Sequence, residues 1–273
     1  MINTIQKISF FIVSMCSLQM GFAQASLSTS EIDGTSQNIG LNTITTAVPF
    51  LLITPDSRAG AMGDVGVATS PDPLSAYWNT SKAAFAERDL GLAFSYVPWL
   101  RSIVPDINLV YLSGFKKVGE KGAVTGAMRY FSLGEINFTD DNGNPLPSGN
   151  PNEFAIDLGY AHKLSDKFSG GFSLRYINSN LTQGISASGV ESQPARAIAA
   201  DLNGYYVAEL SLGKYNADYT FGFNIQNIGN KVSYTATAVK RDFIPINLKL
   251  GTGLNLKIDK FNQFGIFLDI NKL

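Results

Sequence analysis

From about residue 90 onward, apolar and polar side chains alternate with period two through one segment after another. In "FAIDLGYAHKL", Phe154, Ile156, Leu158 and Tyr160 fall on one side, and Ala155, Asp157, Gly159 and Ala161 on the other. "FSGGFSLRYIN" sets Phe168, Phe172, Leu174 and Tyr176 opposite Ser169, Ser173 and Arg175. "DYTFGFNIQN" sets Tyr219, Phe221, Phe223 and Ile225 against Thr220, Asn224 and Gln226. Leu248, Leu250, Leu254 and Leu256, then Phe264, Ile266, Leu268 and Ile270, continue the scheme in the last two segments. Successive side chains of a strand point to opposite faces, so this period predicts strands with two unlike faces. Nine are predicted, near 90–97, 107–116, 122–138, 153–164, 167–181, 196–212, 218–229, 246–258 and 262–273.

Alternation alone fits a half-buried soluble sheet or a membrane barrel; the connections separate the two. Those after the second, fourth, sixth and eighth segments are tight: "KVGEK", "SDK" at 165–167, "GKYNA" and "DKF". Those after the odd segments are longer and polar or proline-bearing: "PWLRSIVPD", "DDNGNPLPSGNPN", "TQGISASGVESQPA" and "GNKVSYTATAVKRDFIP". Short turns at one end and long loops at the other describe an outer-membrane β-barrel. A secreted β-sandwich gives no reason for that strict alternation. Strands of ten or more residues, tilted by about 45°, cross an apolar band of about 25 Å. Tyr96, Trp99, Tyr130, Tyr160 and Tyr176, at strand ends, suit the interfacial aromatic girdles. The expected fold is therefore all-β, a transmembrane outer-membrane β-barrel. Nine is an odd count, and single-chain bacterial barrels have even ones. Further strands are expected beyond Leu273, so the chain reads as truncated at its C-terminus.

Composition agrees. Only 16% of the 273 residues are charged, while 45% are hydrophobic and 11% aromatic. Soluble domains carry about 25% charge. No segment after the first twenty-five is an unbroken apolar run long enough for a spanning helix. The net charge of −1 gives no argument for nucleic acid or for a strongly anionic surface, and no nucleic-acid partner is expected.

Lys7, the apolar stretch "ISFFIVSMCSLQM" and then small residues at Ala23 and Ala25 have the order of a cleaved secretory signal peptide. Residues 1–25 are assigned to it, 26–86 to an N-terminal extension and hatch, and 87–273 to the barrel. The single cysteine, Cys16, lies inside the signal, so disulfides, thiolate metal sites and cysteine nucleophiles are excluded from the mature chain. The single histidine, His162, shares the parity of the apolar face and suits a girdle better than a serine–histidine pair, which needs a serine beside it. No enzyme, cofactor or metal is expected, and "DD" at 140–141 reads as loop.

Opposite the apolar side, seven successive strands carry Arg129, Asp157, Arg175, Asp201, Asn224, Lys249 and Asp269. These are predicted to face the lumen. Neighbours mostly have opposite signs, which favours cross-strand pairs; if their heights do not match, they are ordinary lumen residues. Ahead of the first strand lies "RAGAMGDVGVATSPD", with Gly60, Gly63 and Gly66 three apart. A phosphate loop needs a buried parallel strand before it and a helix after it, and no βαβ unit or lysine-containing P-loop accompanies these glycines. Glycines that let backbone pack closely, followed by "DPLSAYWNTSKAAFA" as a short helix begun at Asp72 or Ser75, suit a hatch filling a barrel mouth. Arg58, Gly60, Gly63, Asp64, Gly66 and Trp78 are its candidate residues, with Arg58 and Asp64 expected to meet lumen charges.

The stretch "AVPFLLITPDSRAGAMGDVGVATSPDPLSAYWNTSKAAF" resembles the N-terminal signature of the PorV family of Bacteroidetes outer-membrane proteins. "FNIQNIGNKVSYT", "DFIPINLKLG" and "LDINKL" resemble its later signatures, in order, so the likeness covers residues ~43 to 273. The family more often has proline after the asparagine of "YWNTSK", where this chain has Thr80. The resemblance implies a FadL-like barrel, of fourteen strands when complete, and a non-enzymatic component of the type IX secretion system. Its implied partners are the translocon barrel, secreted cargo with a C-terminal signal domain, a sortase-like attachment complex and outer-membrane lipid. The loops 140–152, 181–195 and 230–245 are the candidate contact surface. The alternative is a FadL-like channel importing hydrophobic small molecules, against which the polar lumen residues count.

Overall fold

The computed structural model describes residues 46–273 apart from 100, 102, 103, 105, 140–142, 185–191, 214 and 236–240. The signal-peptide assignment, the extension up to residue 45 and parts of the three long loops lie outside these described residues.

Nine strands form one antiparallel sheet in which each pairs with its neighbours in the chain. They are β1 (Leu90–Pro98), β2 (Asn108–Val118), β3 (Gly122–Ser132), β6 (Asn152–Lys163), β7 (Phe168–Asn180), β8 (Ala195–Leu212), β9 (Tyr215–Gly229), β10 (Asn247–Lys257) and β11 (Gln263–Lys272). The strands sit where the alternation placed them, with one correction. The predicted third segment, 122–138, is two elements, because the chain turns at Gly134, whose φ is +76°. Asp106 accepts from the backbone of Glu135, and its carboxylate fills the space where a side chain on residue 134 would stand. Ile136–Thr139 (β4) then pairs with Pro145–Gly149 (β5) as a separate two-stranded sheet in the long connection to β6.

The main sheet has an inverted relation between burial and polarity. Leu92 is 72% exposed, Phe94 69% and Leu158 68%, whereas Arg175 and Asp157 on the other face are 2% and 4% exposed. What covers the polar face is the segment 46–86. Within it, Pro49–Leu52 is a single 3-10 turn, Ser57–Ala61 a short helix (α1) and Ser75–Trp78 another (α2), followed by 3-10 residues Thr80–Phe85. Asp56 caps α1 by accepting from the backbone N–H groups of Arg58 and Ala59. The predicted helix over 72–86 is broken at Asn79, whose backbone is extended; its side-chain oxygen accepts from Ser81 N–H.

The segment runs as a strap from the long-loop end of the sheet to the short-turn end. Ala47 N–H donates to the carbonyl of Phe243, in the long β9–β10 connection. At the other extreme, Lys117 beside the β2–β3 turn donates to Ala86 O. Near the long-loop end the strap buries Val48, Phe50 and Leu51 with Leu109, Phe131, Ile177, Ala197 and Ile244. The polar face is thus apolar in this upper part and charged at mid-height.

Candidate functional site

The mid-height charges assemble around Arg175. Asp157 and Arg175 lie directly opposite on β6 and β7, and Asp157 Oδ1 accepts from Arg175 Nε. Arg175 Nη2 donates to Asp201 Oδ2 at 3.0 Å, and Nη1 donates to Asn227. Asp201 also accepts from the backbone of Asn227, whose amide donates to Pro245 O. One buried guanidinium therefore ties four strands together, and through Asn227 the end of a long loop at Pro245. Removing one partner of such a buried, hydrogen-bonded pair costs about 3–5 kcal/mol.

The remaining predicted polar positions do not pair with one another. Arg129 donates from Nη1 to Leu51 O at 2.9 Å and stacks 4.9 Å from the Tyr77 ring centroid and 5.6 Å from Tyr111. Lys249 Nζ stands 4.8 Å from the Tyr77 ring and 4.7 Å from Trp78, on the opposite side of the sequence of strands. Asn224 donates to Trp78 O at 2.7 Å. Asp269 accepts from Gly66 and Val67 N–H at 2.7 and 3.0 Å. These four side chains grip the strap rather than each other.

Within the strap, Gly66 permits a contact no other residue allows: a Cβ there would stand 2.1 Å from the Trp78 ring. Trp78 is buried, and its indole N–H donates to Asp56 Oδ2 at 3.2 Å. Gly63 has φ +83° and adjoins Asp64 at +59°, a tight left-handed pair that ends α1. Gly60 sits in α1 with open space around its missing side chain, the nearest atom being Asp64 Oδ1 at 3.9 Å. The expectation that Arg58 and Asp64 meet lumen charges needs correction for Arg58. Its guanidinium pairs with Asp72 at 3.0 Å and donates to Ser70, inside the strap and half-exposed, because α1 turns that side chain away from the sheet. Asp64 is exposed beside it.

Several gripping residues were not singled out from sequence. Asn79 donates to Val67 O and Gly204 O, and Ser81 N–H donates to Asn203 Oδ1. Gln226 donates to Tyr77 O at 2.6 Å. Lys82 Nζ, wholly buried, donates to Gly66 O and Thr69 Oγ1 at 2.8 and 2.9 Å. Burial lowers its pKa to about 8, only partly opposed by the charge of Asp72. The signal available for them was "YWNTSK" itself, a polar run too rich in asparagine, threonine and serine for a surface helix. His162 Nδ1 lies 3.1 Å from Tyr160 Oη at the short-turn end. No group of three His, Cys, Asp or Glu side chains converges as a metal site among the described residues.

A family model described as type IX secretion system protein PorV matches residues 35–273. A comparison with curated proteins returned no match. The glycine-bearing strap, the polar residues that hold it and the nine strands all fall inside the family match, so this chain belongs to the PorV family of type IX secretion system proteins.

Proposed function

We propose that the nine strands are part of the wall of an outer-membrane β-barrel, and that the strap is the hatch inside it. The observation that carries this reading is the inversion of burial: leucines and phenylalanines point outward while arginine, aspartate and lysine are enclosed. In water such a surface would associate; in lipid it is the stable arrangement. The outer edges of β1 and β11 have no strand partner among the described residues, and unpaired amides in hydrocarbon cost several kcal/mol each. Closure by further strands, as in the fourteen-stranded FadL-like barrels, removes that cost. Localisation in the outer membrane, after export through a cleaved signal peptide, follows from the same reading.

The family match supports a role in protein secretion rather than catalysis. In this role the barrel receives cargo through its C-terminal signal domain at the translocon barrel. It then passes cargo to the sortase-like attachment complex. The long loops carry the recognition and the gripped strap keeps the interior filled, which argues against a small-molecule channel. The test is a deletion strain complemented with this chain. Loss of the protein should leave unprocessed cargo in the periplasm, and detergent extracts of tagged protein should contain the translocon barrel and cargo. Normal cargo processing with lost uptake of long-chain fatty acids would instead assign the importer role.

A further inference from the structure

The outward face carries a pit, set by register, across β1, β2, β3 and β6. Three rows of side chains cross β1, β2, β3 and β6: Phe94–Leu112–Met128–Ile156, then Leu92–Gly114–Gly126–Leu158, then Leu90–Lys116–Val124–Tyr160. The middle row has two glycines side by side, so a gap opens between the larger side chains of the rows on either side. The resulting groove has a volume of about 400 Å³. The two glycines are not equivalent. A Cβ on Gly114 would meet Gly91 O and Leu92 Cδ2 at 2.6 Å, so Leu92 leans over that position. A Cβ on Gly126 would meet nothing closer than Leu158 Cδ2 at 3.9 Å, so the floor there is open.

The next row toward the β2–β3 turn places Lys116 at the end of the groove. It points outward and is exposed, and it takes no part in the ion pairs of the described residues. Its neighbour Lys117 faces inward and is used on Ala86 O. An apolar groove ending in a single cation, on the face that the barrel reading sets against lipid, matches one ligand chemistry: a hydrocarbon chain attached to an anionic headgroup.

We propose that this groove is a binding site for one phospholipid of the periplasmic leaflet, an acyl chain lying over Gly126 and the phosphate at Lys116. The site rests on the barrel reading, which sets the short-turn end at the periplasmic leaflet. Hydrocarbon leaving lipid for the groove gains little from the hydrophobic effect. Retention comes from close packing in the pit and from the lysine–phosphate attraction at the interface. Both are therefore needed for a lipid to stay when detergent replaces the bilayer.

The experiment is native mass spectrometry of the detergent-purified full chain with added phosphatidylglycerol, compared with palmitate as a chain without the phosphate. Wild type should retain one phosphatidylglycerol through detergent exchange. Gly126→Leu fills the floor where space exists, and Lys116→Gln removes the cation; each should reduce occupancy at least fivefold. Lys260→Gln, in the β10–β11 turn and away from the groove, should leave it unchanged. Gly126→Ala, a milder filling, should give an intermediate loss and serves if the leucine variant does not fold. Equal retention by wild type and both groove variants would overturn the site; palmitate, whose carboxylate is also anionic, binding as tightly as phosphatidylglycerol would overturn the assignment to a phospholipid. The barrel reading is scored separately by heat-modifiable migration of the same samples. If that is present and lipid retention is absent, only the groove proposal falls.

Discussion

Lys82 shows how a single residue reports the state of the strap. Its ammonium is enclosed with two neutral acceptors and no directly bonded carboxylate. The unfolded lysine titrates near 10.5 and the folded one near 8, so between those values the unfolded state binds more protons. Stability should rise as pH is raised through that window and be lower, and flat in this contribution, below pH 8. At about 1.4 kcal/mol per unit the effect amounts to a few kcal/mol. Guanidinium unfolding midpoints of the reconstituted protein at pH 7.5 and 10 would show it. Lys82→Met should reduce the difference without abolishing it, because Lys249 is a second buried lysine, and an unchanged pH slope in that variant would reject the assignment. Arg129 and Lys249 illustrate what sequence does not disclose at this scale. Alternating signs on neighbouring strands suggest pairing, yet of the seven positions only Asp157, Arg175 and Asp201 form ion pairs with one another. The other two cations find aromatic rings and a carbonyl supplied by the strap, whose position no strand pattern encodes.

At the scale of elements, two glycines of one motif should behave oppositely. Gly66→Ala drives a methyl into the Trp78 ring, so the ring must shift away from Asp56. Overpacking of this kind costs about 1–3 kcal/mol. Gly60→Ala meets no close atom and replaces a glycine within α1, so it should be neutral or stabilising by up to about 1 kcal/mol. Limited proteolysis and the emission of Trp78 would separate them; equal protease resistance in both variants would contradict the packing described. The strands were legible because a period of two over ten residues leaves few other solutions. The strap was legible only as a close-packing segment. Its path depends on side chain to backbone bonds from residues more than a hundred positions away, such as Asn224 to Trp78 O and Asn79 to Gly204 O. The break at Asn79 and the turn at Gly134 were missed for the same reason: each is fixed by a local polar acceptor rather than by periodicity.

For the whole molecule, the strap's direction sets a topology that labelling can read. Thr46 lies at the long-loop end and Lys121 in the opposite β2–β3 turn. In the proposed orientation, Thr46→Cys should react with a membrane-impermeant maleimide on intact cells. Lys121→Cys should react only after the outer membrane is permeabilised. The reverse pattern would invert the barrel, and labelling of both on intact cells would reject the membrane reading.

The strap also constrains how the molecule is put together. Phe50, Tyr77 and Trp78 are bulky knots along a cord that leads directly into β1, and all three are enclosed. In the proposed barrel, a cord knotted in this way would not be pulled lengthwise through a finished cylinder. The strands would instead be laid around it, so that the first part of the sequence would act as the mandrel on which the wall is wound.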